Sequence, residues 1–360
     1  MTNPVTKLRN NAEEFRLKDS KDKRRVIVDG ILNNALYILM AIFVLYTAIA
    51  TDNFLSWGSL ANLITQVAAD LPLALGIAGC IVLTGTDLSA GRVMGLSAAV
   101  SGVLLQKTDF VNKMFNNLPS PSVGWILCSL LIVVLIGAII GIVNGFFVAK
   151  FNLHPFIVTL ATQLITYGII LWFFALNGNN GQPISGLSAE YKDAVGGELF
   201  RMGNVAVPRY VLYAIILTII MWVIWNKTSF GKNMFAVGSN PEAARVSGVN
   251  VFWTTVLVHT LAGAMYGYSG FVEGVRSGSV AANTGMNLEC DAIAACVIGG
   301  VSFVGGTGKI SGILLGVFVL RIIFVALTML GVDSSSLYII KGAIILCACA
   351  LDMRKYLVKK

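Results

Sequence analysis

Ten apolar stretches recur along the chain, at roughly 31–50, 60–83, 91–106, 124–149, 154–176, 210–226, 251–275, 289–303, 310–330 and 337–351. Most approach the run of about 20 apolar residues that an α-helix needs to cross a bilayer. Short polar or glycine-rich connections separate them. The pattern predicts an all-α polytopic membrane protein of about ten transmembrane helices. Residues 31–360 form its transmembrane domain and 1–30 a polar tail.

Composition agrees, with 56% hydrophobic and 12% charged residues and a mean hydropathy of +0.79, far from soluble averages. The 37 glycines have no three-residue period, which excludes a collagen-like chain. A net charge of +8 raises nucleic acid as a partner, but the positions of the cations answer differently. With the N-terminus inside, the tail, Arg92, Lys150, Lys227, Lys232, Arg245, Lys309 and the C-terminus gather on one side, against Lys107, Lys113, Lys192, Arg201, Arg209 and Arg276 on the other. That asymmetry predicts a plasma (inner) membrane protein with both termini cytoplasmic, bound to lipid rather than nucleic acid. The tail is too long and too mixed in charge for a signal peptide.

Two connections are long. The stretch 177–209, with Gly-Asn-Asn-Gly-Gln-Pro at 178–183, is expected outside. The stretch 227–250 is expected inside, where Pro241 in a first turn, Glu242 behind it and Gly248 as a stop predict a short helix over 241–247.

Glycines fall at helical spacing: Gly137, Gly141 and Gly145, then Gly263 and Gly267, Gly270 and Gly274, and Gly308, Gly312 and Gly316. Such ridges let helix backbones approach closely. A weak internal repeat, Gly91-Arg92-Val93-Met94-Gly95 and Gly308-Lys309-Ile310-Ser311-Gly312, follows a glycine-rich break each time. Duplications with short or broken segments mark transport folds.

Polar residues inside the apolar stretches are the candidates for chemistry. Thr86, Asp87 and Ser89 interrupt one stretch; Glu289 and Asp291 open another. Each set either lines a water-filled path or forms a turn or helix cap at the membrane edge. Asn144, Gln163, Asn283 and the aromatic Trp172 offer the partners that a sugar needs, or else belong to packing and an interfacial belt. Asp70-Leu71-Pro72 is expected to break the second stretch, and Arg321 either pairs with an acid of the bundle or snorkels. Five cysteines (Cys80, Cys128, Cys296, Cys347, Cys349) read as small buried apolar residues. With no CxxC and two histidines, no metal site is expected. Val304–Ile310 mimics a phosphate loop, but Phe303 and Ile310 stand where Gly and Ser/Thr are required. No enzyme motif is present.

The run Glu242-Ala243-Ala244-Arg245-Val246-Ser247-Gly248, preceded by Asn240 and Pro241, resembles the EAA-x-x-x-G cytoplasmic loop of ABC importer permeases. Together with Trp225–Asn233, Gly85–Arg92, Leu288–Cys296 and Tyr338–Ala343, it makes the chain similar to the ribose/galactose branch of that family. The resemblance implies a type II-like permease fold and ATP-driven import of a monosaccharide such as galactose, a methyl-galactoside or glucose. Two copies form the pore, an extracytoplasmic sugar-binding protein delivers cargo, and a separate ABC ATPase holds ATP and Mg. Asn240, Pro241, Glu242, Ala243, Ala244, Arg245, Ser247 and Gly248 become its docking element. An ion-coupled transporter using Asp87, Glu289, Asp291 or Arg321, or an ABC permease for ribose, xylose or a nucleoside, is the competing reading.

Overall fold

The computed structural model describes residues 35–51 and 53–357; the tail expected at 1–30 lies outside them. In chain order the helices are α1 (Ala35–Ala50), α2 (Trp57–Val82), α3 (Ala90–Leu104), α4 (Val123–Phe151) and α5 (Pro155–Ala175). A cap follows, made of α6 (Ala189–Gly196) and a hairpin of β1 (Glu198–Met202) and β2 (Val205–Pro208). Then come α7 (Tyr210–Lys227), α8 (Ser229–Ser239), α9 (Pro241–Val246), α10 (Val251–Ser277), α11 (Leu288–Ile298), α12 (Ile310–Met329) and α13 (Ser334–Leu357). Each of the ten apolar stretches contains a helix. Five of these, α2, α4, α5, α7 and α12, are long and apolar enough to cross a membrane.

α10 lies at the centre and packs most extensively on α4, then on α3 and α2. Glycine makes this possible. Gly137 and Gly141 of α4 sit against the backbone carbonyls of Gly263 and His259, and Gly267 of α10 sits against Val133. A Cβ on Gly145 would lie 2.7 Å from the Val256 Cα, closer than backbone can yield. Contact this intimate gives dispersion energy over the whole crossing, which is what joins helices where no hydrophobic effect separates them from lipid. The outward faces are apolar, with Leu127, Leu131 and Leu135 on α4 and Ile215 and Ile219 on α7 all exposed.

Several expectations change. The chain is not purely helical: β1 and β2 pair antiparallel through a turn at Gly203, whose φ is +60°. α2 runs unbroken through Pro72, as membrane helices allow when neighbours re-satisfy the freed backbone. Of the cysteines, Cys80 and Cys296 are buried, but Cys128 and Cys347 are exposed because helix faces that meet lipid are apolar too. Arg92, counted as a loop cation, is buried in α3 and lies 4.2 Å from the centre of the Tyr167 ring.

α11 is only 11 residues, about 16 Å at 1.5 Å per residue, half of what a crossing needs. The two repeat motifs clasp it. Gly91 and Gly95 abut the carbonyls of Gly285 and Thr284 just before α11, while Gly312 and Gly316 abut those of Gly299 and Ala295 at its end.

The cap is fastened at one end of the bundle. Gln106 Nε2 donates to the Ser185 carbonyl at 2.9 Å, Ile184 pairs with Val280, and the Tyr191 hydroxyl donates to the Phe271 carbonyl of α10. Burial pushes the Tyr191 phenol well above its ordinary value, so it stays a neutral donor. On the exposed hairpin, the hydrogen bond from Arg201 holds the Glu198 carboxyl below its usual value.

Gly263→Leu drives a branched side chain into the Gly137 carbonyl. It is expected to destabilise the fold by about 3 kcal/mol or more, read as a lowered midpoint of thermal unfolding in mild detergent.

Candidate functional site

Three polar assemblies stand out, and the first is α9 with its flanks. Asn240 leaves helical geometry (φ −162°, ψ 105°) and its Oδ1 accepts from the Ala243 amide at 3.0 Å, an N-cap with Pro241 behind it in the first turn. Arg245 Nη1 donates to both Glu242 oxygens, at 3.0 and 3.1 Å. Ser247 Oγ donates to the Ala243 carbonyl at 2.9 Å. Gly248, at φ +85°, closes the turn as its amide and that of Val249 reach Arg245 and Ala244. Nothing would crowd a Cβ there, so glycine is needed for its backbone conformation alone. Ala244 is buried, whereas Val246 is 90% exposed: an apolar knob on a polar helix.

The sequence did not announce α8, which fills the earlier half of the 227–250 connection. It packs on α9, α7, α10 and α2. Gly238 sits against the Val82 carbonyl at the end of α2 and against Gly306, whose amide donates to that same Val82 carbonyl at 2.9 Å. The glycine run that mimics a phosphate loop is thereby committed to packing. Beside α9, an open hollow of about 730 Å³ runs inward to Cys80 and His259.

The second assembly is the break before α3. Asp87 Oδ1 accepts from Ser89 N (2.9 Å) and Oγ (2.6 Å), and Oδ2 from the Tyr266 hydroxyl at 3.3 Å. Asn144 Nδ2 donates to Ser89 Oγ at 3.1 Å, and Thr162 donates to Asn144 Oδ1 at 2.6 Å. Thr159 Oγ1 bridges the Thr86 carbonyl and the Leu88 amide. Asp87 and Ser89 are completely buried, so protein, not water, satisfies this non-helical chain. The fold also brings Cys80, Asp87 and His259 within 4.8 Å of one another, a grouping the sequence did not suggest. Hydrogen bonds from Ser89 and Tyr266 engage both Asp87 oxygens, while Cys80 and His259 also line the hollow beside α9. Nearby, Gln163 Nε2 donates to Glu289 Oε1 at 3.3 Å. The buried Glu289 Oε2 has no hydrogen-bond partner among the described residues.

The third assembly is a quartet of charges. Arg321 of α12 pairs with Asp70 of α2, and Lys341 of α13 lies 2.7 Å from Asp291 of α11. All four are largely shielded, and the hollow bordered by Asp70, Asp291 and Arg321 is about 10 Å³, room for about one water. Asp291, in the first turn of α11, is thus also the ion-pair partner of Lys341. Asn283 and Trp172 join none of the three assemblies; both are exposed, Trp172 at 64%.

The family described as the permease component of branched-chain amino acid transport systems matches residues 59–349. The chain belongs to this family. The permease is 42% identical over 335 residues to the galactose/methyl galactoside import permease protein MglC of Haemophilus influenzae, covering 92% of this chain and 97% of that one. It is 43% identical over 325 residues to the protein of the same name from Escherichia coli K12, covering 90% and 95%. The ribose import permease protein RbsC of Bacillus subtilis is 32% identical over 336 residues, covering 93% and 97%. No solved structure matches.

The partners of the permease's intramembrane cations lie far from them in the chain. Asp70 stands near Pro72, where its charge is easily overlooked. Its spacing was the available signal: Ser59, Asn62, Gln66 and Asp70 recur at three- and four-residue steps, one face of a helix.

Removing one member of a buried ion pair strands the other. Arg321→Met is expected to destabilise the permease by about 3 kcal/mol, and adding Asp70→Asn to recover most of that loss. Thermal unfolding of the single and double variants in detergent checks the cycle.

Proposed function

We propose that this chain is the membrane-spanning subunit of an ATP-driven importer that moves galactose or a methyl galactoside into a bacterial cytoplasm. The observation that carries the reading is the full-length likeness to galactose import permeases at 42–43% identity. The family description refers to amino acid transport, but the nearly full-length relatives carry sugar names, and ribose permeases follow at lower identity. The exposed α9, bearing the EAA-x-x-x-G run, is the surface offered to a cytoplasmic ABC ATPase, and that partner holds ATP and Mg. The α6–hairpin cap at the opposite end is the surface offered to an extracytoplasmic sugar-binding protein.

In this reading the bundle crosses the inner membrane ten times, with α11 and the loop 299–309 together serving as one broken crossing. Both termini and α9 are cytoplasmic, as the distribution of Lys and Arg favours. Two copies form the pore. A push on α9 passes to α8, and through Gly238 to the end of α2 and the glycine loop at Gly306. α8 is thus the lever between nucleotide closure and the helices of the pore, a shear-type transition. Two acids of the bundle, Asp70 and Asp291, are engaged by cations of the same chain, which argues against their carrying a coupling ion.

The test is ATP hydrolysis by the purified complex of permease, ATPase and binding protein in lipid. Stimulation by galactose-loaded but not ribose-loaded binding protein is expected; a permease that copurifies with no ATPase overturns the reading. In the same assay Gly248→Val, which forces a branched residue into φ +85° at a cost of about 1–3 kcal/mol, is expected to abolish stimulation while the protein still inserts. Normal stimulation in that variant would remove α9 from the coupling role.

A further inference from the structure

Most outward helix faces among the described spans are apolar, but one face of α2 is not. On α2, Ser59, Asn62, Gln66 and Asp70 form a single stripe; Asn62 is exposed and the other three are half-buried. Across from it stand Thr328 and Arg321 of α12 and Lys341 of α13, and the groove between them encloses about 380 Å³, within the range of small-molecule sites. Amides and charges of this kind are not left facing hydrocarbon. The contrast with Leu164 and Ile165 on α5, or Leu131 and Leu135 on α4, all exposed, marks this face as one that meets water.

The groove has an orientation and a floor. Its mouth lies at the cap end, where Gly58 abuts Val205 of β2 and Gly203 of the hairpin turn abuts Trp57. A second polar hollow of about 510 Å³, bordered by Lys192 of α6 and Arg276 of α10, shares Asn62 and Gln66 with the first. These two amides therefore stand between the cap and the interior. At the inner end the Asp70–Arg321 and Asp291–Lys341 pairs close the way. The hollow that Asp70, Asp291 and Arg321 share with Leu73, Ala74, Ala292 and Ala295 is only about 10 Å³, and those apolar neighbours offer nothing to a hydroxyl.

We propose that this groove is where the permease receives its cargo, a neutral monosaccharide, before inward passage. Asn62 and Gln66 are its first polar contacts and the two ion pairs are the floor it must part. The inference rests on the sugar-import reading above and assigns its site. The chemistry suits an uncharged polyol: side-chain amides offer donors and acceptors together, and two carboxylates beside one guanidinium and one ammonium leave no net charge to favour an ion. Asp87 and Ser89 are completely buried, and the hollow that reaches their neighbours Cys80 and His259 opens beside α9, away from the cap. The groove is the hollow that meets cargo arriving from the cap side.

The test uses the complete importer in lipid vesicles, built on a parent lacking the six native cysteines, with Asn62→Cys, Gln66→Cys and the lipid-facing control Leu164→Cys. Galactose uptake is measured before and after treatment with the impermeant anionic reagent sulfonatoethyl methanethiosulfonate on the cap side. Each variant is compared with its own untreated rate. Treatment is expected to cut uptake about tenfold in Asn62→Cys and Gln66→Cys and to leave Leu164→Cys unaffected. A parent that imports galactose, with treated Asn62→Cys and Gln66→Cys variants that import as fast as before, overturns the groove and leaves the sugar reading standing. An importer with its native cysteines intact that takes up no galactose overturns the sugar reading and with it the assignment of this ligand.

Discussion

Hydrocarbon supplies no hydrogen bonds, so each backbone amide and charge drawn into it has to find its partner in the protein. This requirement accounts for the organisation of the bundle more completely than apolar burial does. Long regular helices meet it without help. Where the chain departs from helix, as at Thr86–Ser89, a shell of Thr159, Asn144, Thr162 and Tyr266 closes around the departure. Where a cation enters, it meets a carboxylate or a ring: Arg321 with Asp70, Lys341 with Asp291, Arg92 with Tyr167.

Meeting that requirement leaves little room for bulky side chains between helices, and glycine answers both needs. The crossing of α4 and α10 brings backbone against backbone through Gly137, Gly141, Gly263 and Gly267, and the clasp on α11 uses the same device at each end. Contacts between smooth backbone surfaces resist separation, but they carry few interlocking side chains to resist sliding. A transporter has to remain closed to ions while its parts shift, and glycine seams suit that task. α8 makes the same kind of contact through Gly238, so the path from α9 to α2 runs through backbone and loses little to side-chain flexibility.

Much of this was legible in the sequence, because length, hydropathy and glycine spacing are local properties. The ten apolar stretches, the short helix behind Asn240-Pro241, and the packing role of the glycine ridges could be read directly. Pro72 was misread since the rule that proline ends a helix comes from water, and membrane neighbours relax it. α8 is less legible because Ser229–Ser239 is short and carries two glycines, and tertiary contacts at Gly231, Met234 and Gly238 hold it helical. The pairing of Asp70 with Arg321 spans 251 residues, and no local pattern carries such a distance. Trp172 and Asn283 have the residue types of a sugar site but lie exposed, Trp172 on a helix face and Asn283 in the turn before α11, and residue type alone does not fix placement.

The quartet at the floor of the groove contains two anions and two cations. Moving one elementary charge through a membrane potential exchanges about 2.3 kcal/mol per 100 mV. A neutral quartet displaced as a unit exchanges almost none. The electric field across the membrane, which drives so many transporters, therefore has little purchase on this part of the molecule, and the floor can open and close at the same cost whether the cell is energised or depolarised.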